Sequence, residues 1–156
     1  MRSTGRATQR GLTLIEVLVA ILVLSVGLLG AAATQLNALK YTDSSLMSSQ
    51  ASFIAYDMMD RIRANPDAAA NYALSALSAA PSTADGSDTR TQDLFDFATN
   101  IRSFAGALAA GSIAVNNRTV TIVVTWDDSR AEAKANTPRS FTLVSRIAVD
   151  PVVVTP

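Results

Sequence analysis

Four groups of carboxylates hold the candidates for chemistry in this sequence: Glu16 inside an apolar run, Asp57 with Asp60, Asp85 with Asp88, and the adjacent Asp127 and Asp128. Paired carboxylates can divide general-acid and general-base work between them. Neither Asp57/Asp60 nor Asp127/Asp128 comes with a recognisable partner motif, so a charged turn and an exposed helix face account for both. Asp85-Gly86-Ser87-Asp88 has the look of a calcium loop, but its spacing is not that of an EF-hand and its ligands are few. It is read as a solvated turn. The chain has no histidine and no cysteine, which removes the commonest general base, the Ser-His and Cys-His nucleophile pairs, disulfides, and imidazole or thiolate metal sites. No enzymatic activity, cofactor or metal is expected.

Glu16 is a different case. It is the only ionisable side chain between Leu12 and Ala33, 22 residues that at ~1.5 Å each match a hydrocarbon core of ~30 Å. An acid in such a segment costs a few kcal/mol, so it marks a function and implies a partner. Arg2, Arg6 and Arg10 precede the run with no acid among them, which places the N-terminus in the cytoplasm and sends the remainder across the membrane. Without residues 1–11 the chain is net acidic, and no basic stripe interleaved with aromatics is present, so nucleic acid is not an expected partner. Ala31-Ala32-Ala33 would suit an ordinary secretory cleavage site. Against that stand the length of the run, Glu16, and a helical pattern that continues past Ala33.

The residues around Glu16 carry a family resemblance. Arg10-Gly11-Leu12-Thr13-Leu14-Ile15-Glu16-Val17-Leu18-Val19-Ala20 resembles the class III signal of type IV prepilins, in which a membrane peptidase cuts after the glycine. The continuation Ile21 to Gly30 resembles the minor pilins of the pilus modification protein PilV type. Asp60-Arg61-Ile62-Arg63-Ala64-Asn65-Pro66 and Val120 to Asp127 are similar to that family as well. The resemblance implies cleavage between Gly11 and Leu12, N-methylation of Leu12, and a Glu16 that faces the amine of a neighbouring subunit.

It further implies a minor pilin that takes part in type IV pilus assembly or initiation by packing its N-terminal helix. A minor pseudopilin of a type II secretion system is the alternative. The implied partners are other major and minor pilins, the prepilin peptidase/N-methyltransferase, and the inner-membrane assembly machinery. The implied location is the bacterial inner membrane, single-pass, with the N-terminus cytoplasmic and the head periplasmic, followed by the extracellular pilus.

The elements that must position these residues follow from periodicity. The fold class expected is α+β and pilin-like: a long N-terminal helix packed on a small antiparallel sheet with one additional helix. Residues 1–11 form a cleaved cationic leader, 12–33 a transmembrane or filament-core helix, 34–65 an amphipathic spine, and 66–156 a globular head. No proline or glycine interrupts Thr34 to Asn65, where Leu36, Leu39, Leu46, Met47, Phe53, Ile54, Met58 and Ile62 give one apolar stripe. Gly27 and Gly30 suit either close helix approach or local melting. Asn65-Pro66 ends the helix.

Residues 67–90 read as a connecting loop, and about 91–108 as a helix with Thr89 or Thr91 at its cap and Leu94, Phe97, Ile101, Phe104 and Leu108 on its apolar side. A sheet follows over about 112–149: a hairpin of Ser112–Val115 and Arg118–Trp126 about the turn Asn116-Asn117, then a third strand, Ser140–Val149. Asn117-Arg118-Thr119 fits the N-glycosylation pattern but is read as turn chemistry. Trp126 is a strand-end core residue, and Val152–Thr155 an apolar tail.

Overall fold

The structure, a computed structural model, describes residues 13–148 other than 133 and 135. The expected leader 1–11, the cleavage pair Gly11 and Leu12, the end of the third strand at Val149, and the tail Val152–Thr155 lie outside the described residues. The order of elements is helix α1 (Leu14–Ala64), two short 3-10 helices (Pro66–Tyr72 and Leu77–Ala79), α2 (Thr89–Phe104), a 3-10 turn (Gly106–Leu108), β1 (Ala110–Asn116), β2 (Thr119–Asp127), a one-turn helix α3 (Ser129–Glu132) and β3 (Pro138–Arg146). The fold is α+β, with a long N-terminal helix and a three-stranded antiparallel sheet of order β1-β2-β3. The chain divides into two compact units, Met1–Leu39 and Lys40–Pro156; the second is called the head below.

In the first unit every described residue from Thr13 to Leu39 is exposed. Its helix is long and apolar enough to cross a membrane. The hydroxyls inside it bond back to the helix backbone, Ser25 Oγ to the Ile21 carbonyl at 2.7 Å and Thr34 Oγ1 to that of Ala31 at 2.8 Å, which satisfies them without water. The helix runs unbroken through Gly27 and Gly30, and a Cβ at either would meet nothing within 4 Å.

In the head, α1 buries Ser44, Ala51, Ile54, Ala55, Met58, Met59 and Ile62. This inner face includes three members of the expected stripe (Ile54, Met58, Ile62), with Met47 partly buried against the core. Leu36, Leu39, Leu46 and Phe53 are instead 56%, 67%, 63% and 73% exposed. At ~100° per residue, Leu46 and Phe53 point about 120° and 140° away from the centre of the Ile54/Met58/Ile62 row. Alanines and methionines do the packing that the larger residues were expected to do. Leu94, Phe97, Ala98 and Ile101 of α2 complete the core with Ile113, Val120, Ile122, Val124 and Trp126 of the sheet.

The connecting segment is more ordered than a loop. Tyr72 and Leu77 are buried, and Leu74 forms an isolated bridge with Ile113, each amide donating to the other's carbonyl at 2.8 Å. The hairpin turn falls on Asn117-Arg118, one residue later than expected, since Asn116 pairs with Thr119 and Asn117 takes φ 55°. Asparagine tolerates that left-handed conformation better than most residues. Strand β3 lies two residues earlier than expected at its start, and Phe141, Leu143 and Ser145 alternate inward as half-buried residues. Helix α2 ends before Gly106, whose φ of +73° suits the position just past a helix end. Gly111 marks the closest approach of sheet and helix: a Cβ there would sit 2.7 Å from Ile101 Cδ1 and 2.9 Å from Leu77 Cδ2.

Candidate functional site at the start of the long helix

Glu16 stands in the first turn of α1. Thr13 precedes the helix, and Thr13 Oγ1 accepts from the Glu16 amide at 3.4 Å while its carbonyl accepts from the same amide at 3.0 Å. Thr13-Leu14-Ile15-Glu16 is thus an S/T-x-x-E sequence at a helix start, the pattern of a capping box. The negative charge also suits the positive end of the helix dipole. This local role for Glu16 was not read from the sequence, although the threonine three residues upstream was the signal for it.

The carboxylate is exposed, and from Leu12 to Leu39 no other ionisable side chain exists. The next cation along the chain is Lys40, 24 residues on, or ~36 Å of helix at ~1.5 Å per residue. Any counter-charge for Glu16 therefore lies outside residues 13–39. Gly11 and Leu12, the expected processing pair, lie outside the described residues, so Glu16 is the one expected site residue whose surroundings are seen.

The other acids hold the head together. Arg61 donates to Asp57 at 2.9 Å along α1, and to Asp93 at 2.8 Å and Asp96 at 3.1 Å on α2. The Tyr72 hydroxyl donates to the second oxygen of Asp93 at 2.8 Å, and Gln92 donates to Asp96. The hydrogen bond to Asp93 is the largest influence that drives the Arg61 pKa up, opposed by burial; burial first of all pushes the Tyr72 hydroxyl up. Asp60 is taken by Arg63, which also donates to Ser145 on β3. Thus Asp57 and Asp60 face two different arginines.

Asp127 and Asp128 separate in the same way. Asp127 accepts from the backbone and hydroxyl of Ser129, which hold its carboxyl below the usual carboxylate range. Asp128, expected in a charged turn, is 4% exposed and accepts from Ser44 at 2.9 Å and Arg139 at 2.8 Å. The two neighbouring carboxylates thus have no partner in common among these contacts. Asp85 accepts from Ser87, which lowers its pKa, and Asp88 caps α2 by accepting from the Arg90 amide and the Thr91 hydroxyl. The cap expected at Thr89 or Thr91 therefore belongs to Asp88. Among the described residues no cluster of acids is arranged to hold a metal ion. Trp126 is 2% exposed in the core, and its indole N–H has no partner among the described residues.

Two family comparisons match the chain. The prokaryotic N-terminal methylation motif matches residues 6–32, and the Tt1218-like family, described as type IV pilin Tt1218, matches residues 33–98. The matches adjoin without a gap and support a type IV pilin, a family of structural subunits. No curated protein and no solved structure matches the chain.

Proposed function

We propose that this type IV pilin acts as a minor subunit of the PilV type, which enters a type IV pilus or its initiating complex through its N-terminal helix. The observation that carries the reading is the first unit: a helix exposed along its whole described length, with one acid and no cation of its own to pair with it. Such a surface is costly in water and is satisfied by a bilayer or by like helices. In this reading the peptidase cuts between Gly11 and Leu12, the Leu12 amine is methylated, and that amine on one subunit pairs with Glu16 of another. The pairing offsets the cost of a buried charge and sets the axial register between helices. The exposed Leu39, Leu46 and Phe53, spaced by seven, supply a further apolar seam of the kind that helices use against each other. Before assembly the chain is anchored in the inner membrane with its head in the periplasm.

The test uses the full-length chain with Glu16→Gln or Glu16→Ala in a deletion strain, with its share in sheared pili measured against its share in membranes. Loss of one member of a buried pair is worth ~3–5 kcal/mol, so incorporation is expected to fall at least about tenfold. Equal incorporation would remove the charge-pair argument. Intact mass of the wild-type protein should show loss of residues 1–11 and one added methyl group; a retained leader would remove the processing step. Loss of piliation without loss of type II secretion in the deletion strain separates a pilus role from a pseudopilin role.

A further inference from the structure

The head carries a cleft of about 350 Å³ between the Ser75–Ser78 segment and the edge of β1, and every residue that lines it is uncharged. Four hydroxyl-bearing residues line it, Ser75, Ser78, Ser112 and Thr125, with Val123 as the apolar side chain among them. Its wall is held in place. Leu74 is bonded to Ile113 by two 2.8 Å backbone hydrogen bonds, and Arg102 donates to the Leu77 carbonyl at 2.6 Å from outside the lining. After Leu74 the chain turns away from β1, which leaves the cleft open. Because the Ile113 backbone points away from β2, alternation places the amide and carbonyl of Gly111 on the same edge, toward the cleft.

Beside the cleft the outer face of the sheet continues in the same chemistry. Cross-strand rows there read Ala110–Thr125–Ser140, Ser112–Val123–Thr142 and Ala114–Thr121–Val144, with no charge in any of them. Rows of hydroxyls and methyls on strands ~4.8 Å apart make a flat surface that is both hydrogen-bonding and weakly apolar.

From this we infer that the cleft binds a neutral saccharide, with one ring seated among the four hydroxyls and a second lying on the adjoining threonine face. The volume lies at the small end of ligand pockets. A phosphate or carboxylate ligand would find no cation in the lining. A wholly apolar ligand would strip water from four hydroxyls and the Gly111 backbone without replacing their hydrogen bonds. An added peptide strand would meet only Gly111, since Leu74 already occupies the next outward position at Ile113. A sugar supplies both donors and acceptors for the hydroxyls and a C–H face for Val123. The inference concerns the head alone and goes beyond the assembly role.

The test titrates the ¹⁵N-labelled full-length chain, in micelles of a detergent without a sugar headgroup, with maltose, cellobiose and N,N′-diacetylchitobiose, and with sialyllactose as the charged counterpart. At least one neutral disaccharide is expected to shift the amide signals of Ser75, Ser78, Gly111 and Ser112. Ser75 and Ser78 are exposed, so Ser75→Ala with Ser78→Ala keeps the fold. Each lost hydroxyl contact is expected to weaken binding about two- to tenfold. The inference is overturned by any of four results: no shift with any neutral sugar, shifts confined to other parts of the head, equal binding of sialyllactose, or unchanged affinity in the double variant.

Discussion

Replacing Arg61 with methionine tests the charge network that ties α1 to α2. Asp93 is the member with most at stake, because its side chain is 7% exposed and accepts from both Arg61 and Tyr72. A hydrogen bond to a charged group contributes about 1.5–3 kcal/mol. The Arg61 contacts to Asp57 and Asp96 are more exposed, with those side chains at 55% and 32%, and add about 0.2–1 kcal/mol each. Arg61 is itself a third exposed, which keeps the sum near 2–4 kcal/mol rather than the larger figure for a fully buried pair. For a head of this size that corresponds to a fall in Tm of about 10–25 °C. Trp126 is the only tryptophan and sits in the core, so urea unfolding of the full-length chain in micelles can be followed by its fluorescence alone. Asp57→Asn is expected to cost less than about 1 kcal/mol, and the Arg61→Met/Asp93→Asn double cycle to show a coupling above about 1 kcal/mol. A cost for Arg61→Met no greater than that for Asp57→Asn, or a coupling near zero, would refute the assignment of Asp93 as the anchor.

Gly111→Ala should cost the head about 1–3 kcal/mol by overpacking, since its methyl would meet Ile101 and Leu77 at 2.7 and 2.9 Å. Ile101→Val in the same chain should recover part of that loss, and urea midpoints that ignore the second substitution would place the strain elsewhere. Tyr72 gives a pH dependence: its hydroxyl pKa is raised in the folded head, chiefly by burial and also by Asp93. A folded value above the unfolded one means that the stability it contributes is whole below about pH 10 and is lost as pH rises from there through the folded value. Tyr72→Phe should therefore be less stable at neutral pH and should show a shallower alkaline loss; identical slopes from pH 9 to 11 would contradict the burial of the hydroxyl.

Much of the fold was legible because it rests on local pattern. The run from Leu12, the helix breaker Asn65-Pro66, the apolar side of α2 and the β-branched arm of β2 each announce an element through neighbours a few residues away. What escaped was set by partners distant in sequence. Phe53 and Ile54 are equally apolar, and only the position of the sheet decides that Ile54 turns inward while Phe53 stays 73% exposed. Leu74 joins β1 through a bridge to Ile113, 39 residues away, which no periodicity records. Asp93 lies off the apolar side expected for α2, and its burial goes with Arg61 and Tyr72 arriving from two other elements. At the candidate site the sequence sufficed to single out Glu16, since an acid alone in an apolar run needs no tertiary context to stand out.

Glu16 nevertheless has two reasons to be where it is, and they predict different things. As the third residue of α1 behind Thr13 it supports the helix start through the capping pattern and the helix dipole. As the only charge from Leu12 to Leu39 it is also, in the proposed assembly, the group that pairs with the amine of a neighbouring subunit. Glu16→Ala removes both roles at once, so a loss of incorporation in that variant alone would fit a frayed helix end as well as a lost ion pair. Glutamine is also accepted at that position of a capping box and carries no charge. If the pairing with a neighbouring amine governs entry into the filament, Glu16→Gln fails about as badly as Glu16→Ala. If the helix start governs it, Glu16→Gln assembles nearly as well as the wild type. The separation between the two variants, rather than the defect of either one, decides whether this carboxylate acts on its own helix or on the next subunit.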